Sequence, residues 1–200
     1  MKGIMFKEWK HKAIRDDPDR NWQTRRIIKW DIKLLTTYPD RVEIHYIKDG
    51  IPHFCNDFLS HSCYQVGEVV YIKETYYADY ADNVELYYRA DWAEDQVDYV
   101  VPKWRSPRFM PEWSARDFIR ITGVRVERLQ EITEDDIRAE GLSSIDPYRL
   151  YRAFRDLWDS INPKQKWDTN PWVFRYLFCQ RATRQLLQYP AKGVPTCGEP

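Results

Sequence analysis

Short runs of alternating apolar and polar residues, each closed by a turn marker, are what most constrain the folding of this chain. From Arg41 to Ile47, Val42, Ile44 and Tyr46 alternate with Arg41, Glu43 and His45, the mark of a half-buried strand. Lys48-Asp49-Gly50 then turns the chain. Val66 to Thr75 reads as a largely buried strand and Leu86 to Ala90 as a further short one. From Phe118 to Leu129 the phase of alternation slips at Gly123, which predicts a bulge there. Trp172 to Phe178 reads as the last strand. With about six strands and no strand–helix–strand rhythm, the pattern predicts an α+β fold. Its core would be a small β-barrel or a strongly bent, mostly antiparallel sheet with two or three flanking helices.

Two helices carry explicit start and stop signals. Thr133 is an N-cap followed by Glu134, Asp135 and Asp136, acids that suit the positive end of the helix dipole. Ile132 and Ile137 form a staple pair, and Gly141 ends the helix after Glu140. Asp146-Pro147 opens the second helix. Leu150, Ala153, Phe154, Leu157, Trp158 and Ile161 follow at helical spacing, and Asn162-Pro163 stops it. Between Pro102 and Pro111 three prolines forbid a helix or a central strand. Residues 1–178 are expected to form a single domain and 179–200 a flexible tail.

Charge narrows the function classes. Thirty-one basic residues offset 31 acidic ones, whereas a non-specific nucleic-acid coat protein is usually basic overall, so any nucleic-acid contact is expected from a local patch. Nine Trp and 14 Tyr have two readings: the core of a sheet of short strands, and stacking platforms for bases. The four cysteines show no disulfide spacing. With no apolar run of membrane length and no leader pattern, the expected setting is the cytoplasm, with no membrane partner.

The segment Asp19-Arg20-Asn21-Trp22-Gln23-Thr24-Arg25-Arg26 holds a hydroxyl, two amides and three guanidinium groups within eight residues. It resembles the signature of the ASCH domain, a PUA-like nucleic-acid module, which in phage members often reads Gly-Arg-Lys-Thr-Gln-Thr-Arg-Arg. Further pieces follow in family order: Gly67 to Thr75, Tyr88 to Asp91, Lys103-Trp104-Arg105, and Met110-Pro111 with Trp113 and Arg116. Val124 to Leu142, Phe154 to Trp158 and Trp167 to Val173 complete the series.

The resemblance implies a PUA-like barrel with a cleft for a nucleobase or nucleoside, RNA before DNA. It also implies, for an enzymatic relative, an amidohydrolase that deacetylates N4-acetylcytidine. By motif position the family's threonine matches Thr24 and its glutamate Glu140. Its lysine matches Asn21, whose amide has no useful basicity to activate a hydroxyl. Asn21 offers instead a donor and an acceptor suited to a base edge. Arg20, Arg25 and Arg26 read either as phosphate contacts or as salt-bridged surface.

Lys103, Trp104, Arg105, Arg108 and Arg116, interleaved with Phe109 and Trp113, suit nucleic acid: cations hold phosphates and rings stack bases. The bland reading is a structured loop with arginines packed over rings. His53, Cys55, His61 and Cys63 have the composition of a zinc site, but the spacing favours ordinary side chains and no metal is assigned. No cofactor is called for. The expected function is nucleic-acid or modified-nucleoside binding. The alternatives are the amidohydrolase and a phage structural or host-interaction protein whose aromatic loop meets another protein.

Overall fold

The computed structural model describes residues 1–38, 41–80, 85–92 and 103–183; side chains at 34 and 180–183 are outside the description. The elements, in chain order, are β1 (Gly3–Met5), α1 (Glu8–Asp16), β2 (Trp22–Ile27), β3 (Asp31–Thr37), β4 (Val42–Lys48), β5 (Ile51–Cys55) and β6 (Val69–Lys73). They continue with β7 (Tyr76–Asp79), β8 (Glu85–Tyr88), β9 (Asp117–Arg128), α2 (Glu134–Ala139), α3 (Pro147–Ile161) and β10 (Trp172–Thr183), joined by short 3-10 turns. The fold is α+β with mostly antiparallel sheets; the described residues hold three α-helices and no closed barrel. None of those helices is long and apolar enough to cross a membrane. The chain divides into two compact units. The first takes Met1–Arg20, Val69–Arg120 and the chain from Cys179; the second takes Asn21–Glu68 and Ile121–Phe178.

In the first unit β1 lies parallel to β6, and β6 pairs antiparallel with the start of β9, Val70 opposite Ile119. β7 and β8 form a hairpin with Tyr76 opposite Tyr88. Tyr71, Tyr76, Ala78, Met110, Ala115 and Phe118 make the apolar core. Helix α1 was not foreseen. Its buried residues are Lys10, His11 and Ile14, so its inner face carries one aliphatic side chain and shows no apolar stripe. Pro18 accounts for its end, since the residue before a proline avoids helical backbone.

In the second unit β4 joins β3 and β5 in an antiparallel sheet. The turn expected at Lys48-Asp49-Gly50 is present: Asp49 and Gly50 have φ of 52° and 80°, the left-handed pair that a tight hairpin needs. β5 follows it, unforeseen, because Pro52 argues against a central strand and is tolerated on an edge. The helix signals hold. Thr133 and Asp136 form the capping box of α2, and Gly141 has φ 102°. Asp146 caps α3 with Pro147 in its first turn. Leu129, Ile132, Ile137, Leu150, Phe154, Trp158 and Val173 pack into one core; Ala153 and Ile161, expected in that stripe, stay exposed.

β9 runs through Gly123 as strand. A Cβ built there would lie 2.8 Å from Leu177 Cδ1, so the glycine serves a close approach of side chain to backbone. β10 continues to Thr183, beyond the expected end at Phe178; residues 184–200 lie outside the described residues, as does Pro102.

Candidate functional sites

The Asn21–Arg26 segment is mostly strand, and alternation decides what it can do. β2 pairs antiparallel with β10: Trp22 faces Phe178, Thr24 faces Tyr176, Arg25 faces Arg175 and Arg26 faces Phe174. One face of this ribbon therefore carries Trp22, Thr24, Arg26, Phe174, Tyr176 and Phe178, and the other Gln23, Arg25, Arg175 and Leu177.

On the second face a buried ionic network closes on itself. Arg25 donates Nε to Glu127 Oε1 at 2.8 Å, Nη2 to Asp136 Oδ2 at 3.1 Å and Nη1 to Glu140 Oε1 at 3.2 Å. Arg175 donates Nη2 to Asp136 Oδ1 at 2.7 Å and Nε to Gln23 Oε1 at 2.6 Å, while Gln23 Nε2 donates to Asp136 Oδ1 at 2.8 Å. Burial alone would raise the Asp136 carboxyl. Hydrogen bonds from Gln23 and the Thr133 backbone, with the charges of Arg25 and Arg175, overcome it and hold the group below the usual carboxylate range.

This arrangement separates the residues that were expected to share a pocket. Arg25 and Glu140 do meet, but as partners whose hydrogen bonds are already taken by protein. Thr24 is on the opposite face of β2, buried among rings: Phe174 stacks on Phe58 at 5.3 Å and Tyr176 packs edge-on to Tyr64 at 5.3 Å. Aromatic side chains thus lie on one face of this ribbon and ion pairs on the other. Asn21 is exposed just before the strand begins, and Arg20 sits in the turn before it. Arg26 is half-buried on the aromatic face. Glu127, Asp136 and Arg175, which complete the network, were missed; Asp136 was noted only as a helix-start acid.

The proline-punctuated loop of the first unit is fixed to the strands beneath it. Arg105 and Tyr76 exchange backbone hydrogen bonds of 2.8 and 3.3 Å. Tyr71 and Tyr76 hydroxyls donate to the carbonyls of Met110 and Phe109, and Lys73 Nζ to that of Arg108, each at 3.3 Å. Ser106 caps the 3-10 turn Pro107–Phe109. Held in this way, the loop leaves Phe109 72% exposed and Trp113 43% exposed, with Tyr80 nearby at 55%. The Arg105 guanidinium stands 5.9 Å from the Tyr80 ring. Lys103, Arg105 and Arg108 are exposed and make no ion pair among the described residues, and Trp104 is half-buried. Arg116 differs: it clasps Glu74 in a two-pronged pair at 2.7 and 2.8 Å, also donates to Asp91, and covers the Tyr88 ring at 3.9 Å. It is a structural cation.

Of the two His-x-Cys pairs, Cys55 and His61 approach, Sγ to Nδ1 at 3.7 Å, whereas His53 stacks on Tyr46, itself stacked on Trp30. Among the described residues, three potential metal ligands converge elsewhere, at His11, Glu74 and Asp117.

Comparison of the chain with protein-family models, with curated proteins and with solved structures finds no match.

Proposed function

We propose that the protein binds single-stranded nucleic acid, RNA in preference to DNA, on the loop between Lys103 and Trp113. The observation that carries this reading is a contrast within the first unit. Arg15 and Arg116 are spent on carboxylates, while Lys103, Arg105 and Arg108 stand in solvent without an acid partner among the described residues. Exposed Phe109, Trp113 and Tyr80 border them. Solvated cations hold a phosphate backbone and open rings accept bases in a stack, with little demand on sequence. The loop's hydrogen bonds to β6 and β7 pre-order it, which lowers the entropic cost of binding. The order of ASCH-like motifs and the mostly antiparallel α+β build support a PUA-like relationship and the choice of RNA.

The test is fluorescence anisotropy with labelled single-stranded RNA and DNA at several salt concentrations. Phe109→Ala is expected to weaken binding by about 1–3 kcal/mol. Each of Arg105→Ala and Arg108→Ala is expected to flatten the salt dependence by about 0.7 in log–log slope. Binding unchanged in the double arginine variant would remove this face from consideration. Capture of a protein in place of nucleic acid would favour the loop as a protein interface.

A further inference from the structure

Nothing in the sequence singles out His11, yet it lies at the centre of the first unit's most buried polar cluster. His11 is 2% exposed, and Glu74 and Asp117 are comparably buried. Its Nε2 lies 2.8 Å from Asp117 Oδ2, which also accepts from Arg15 at 2.9 Å. Its Nδ1 has no hydrogen-bond partner; the nearest acid oxygen, Glu74 Oε2, is 3.4 Å away. A buried ring nitrogen without a partner is costly. Three carboxylates (Glu74, Asp91, Asp117) touch two guanidinium groups (Arg15, Arg116) in this cluster. With the imidazole neutral, the cluster carries one negative charge more than positive.

The distances suit a metal ion better than a direct hydrogen bond at Nδ1. An ion about 2.0–2.2 Å from a nitrogen and an oxygen at a tetrahedral angle holds those atoms about 3.3–3.6 Å apart, a range that includes the observed 3.4 Å. The second ring nitrogen is engaged by a carboxylate, the arrangement that fixes the tautomer of a metal-bound histidine. Glu74 is held in place from behind by the two-pronged pair with Arg116. Arg15 and Arg116, which contact these acids, and Asp91, which contacts both arginines, keep part of their surface in solvent.

We propose that His11 Nδ1 and Glu74 Oε2 bind a divalent first-row transition ion, with Asp117 orienting the ring and water completing the shell. One imidazole with carboxylate oxygen suits zinc, cobalt or manganese over calcium or magnesium. The site ties α1 to the residue after β6 and to the first residue of β9, so the ion braces the first unit. It is independent of the nucleic-acid reading.

Cobalt(II) titration of the full chain tests the site, followed by displacement with zinc. One equivalent is expected to bind with visible absorption bands, to be lost in both His11→Gln and Glu74→Gln, and to persist in a Cys55→Ser/His61→Gln variant. Asp117→Asn should weaken binding about 10- to 100-fold. Nitrogen-15 spectra of the histidine rings in the unaltered protein give a reading that needs no variant to fold. On adding zinc, the His11 Nδ1 resonance should move to a metal-bound position while Nε2 keeps its proton. No uptake, uptake that survives both single substitutions, or a His11 ring that keeps protons on both nitrogens in excess zinc would overturn the proposal.

Discussion

Arg25 and Arg175 face each other across the β2–β10 ladder, and the carboxylate of Asp136 accepts a hydrogen bond from each. Two like charges directly opposite on a sheet repel. Here one acid from α2 bridges them, and Glu127 contacts both, at 2.8 Å from Arg25 and 3.6 Å from Arg175. The same Asp136 closes the capping box with Thr133, so the helix start and the strand pair depend on one side chain.

Asp136→Asn is therefore expected to lower the free energy of unfolding by about 3–5 kcal/mol, the cost of leaving buried charges without their partner. Urea denaturation measures it. Glu140→Gln should cost less, about 1–3 kcal/mol, since Arg25 keeps Glu127 and Asp136. Equal losses for the two would show that Asp136 is not the centre of the network.

Stability should fall in acid. The carboxyls of Asp136 and Asp117 are both held below the usual range; burial opposes this and is overcome by Gln23, Thr133 and the arginines in one case, and by His11 and Arg15 in the other. A depressed folded-state value contributes stability above the unfolded value of about 3.9 and loses it as pH drops through the folded one. Denaturation midpoints should stay flat on this account from about pH 5 upward and decline below about pH 4. Asp136→Asn should make the decline shallower.

Gly123→Ala is expected to destabilise by about 1–3 kcal/mol through overpacking, because the new methyl would press on Leu177. Adding Leu177→Ala should recover part of that loss by making room, a non-additivity that a double-mutant cycle reads directly.

Arginines of the two classes should separate in binding assays. Arg25→Ala should reduce stability and, at temperatures where the variant is folded, leave the salt dependence of RNA binding unchanged. Arg105→Ala should do the reverse. If Arg25→Ala instead flattened the salt slope as Arg105→Ala does, the assignment of roles would be wrong.

Incubation with N4-acetylcytidine is expected to leave it intact. Thr24 and Glu140 lie on opposite sides of β2, and Asn21, just before the strand, has an amide with no useful basicity. Cytidine release that disappears in Thr24→Ala would contradict this geometry.

Much of the local architecture was legible from the chain. The capped starts of α2 and α3, the Asp49-Gly50 turn and the alternation of β4 depend on interactions within a few residues, so neighbouring letters contain the information. β2 was hidden for the opposite reason. Gln23 and Arg25 are polar and buried, a pattern that makes sense only once Asp136 and Glu140 arrive from more than 100 residues away to satisfy them. Helix α1 was hidden likewise, since His11 is buried against acids remote in sequence.

The amino-acid order by itself determined where the chain caps, turns and alternates, because backbone preferences and side-chain periodicity act over one or two turns. Only the tertiary structure decided which charges are spent. Whether an arginine is buried in ion pairs, as Arg25 is, or stands in solvent, as Arg105 does, depends on which distant carboxylates reach it through space. Two arginines with the same chemistry were given different surroundings by packing alone.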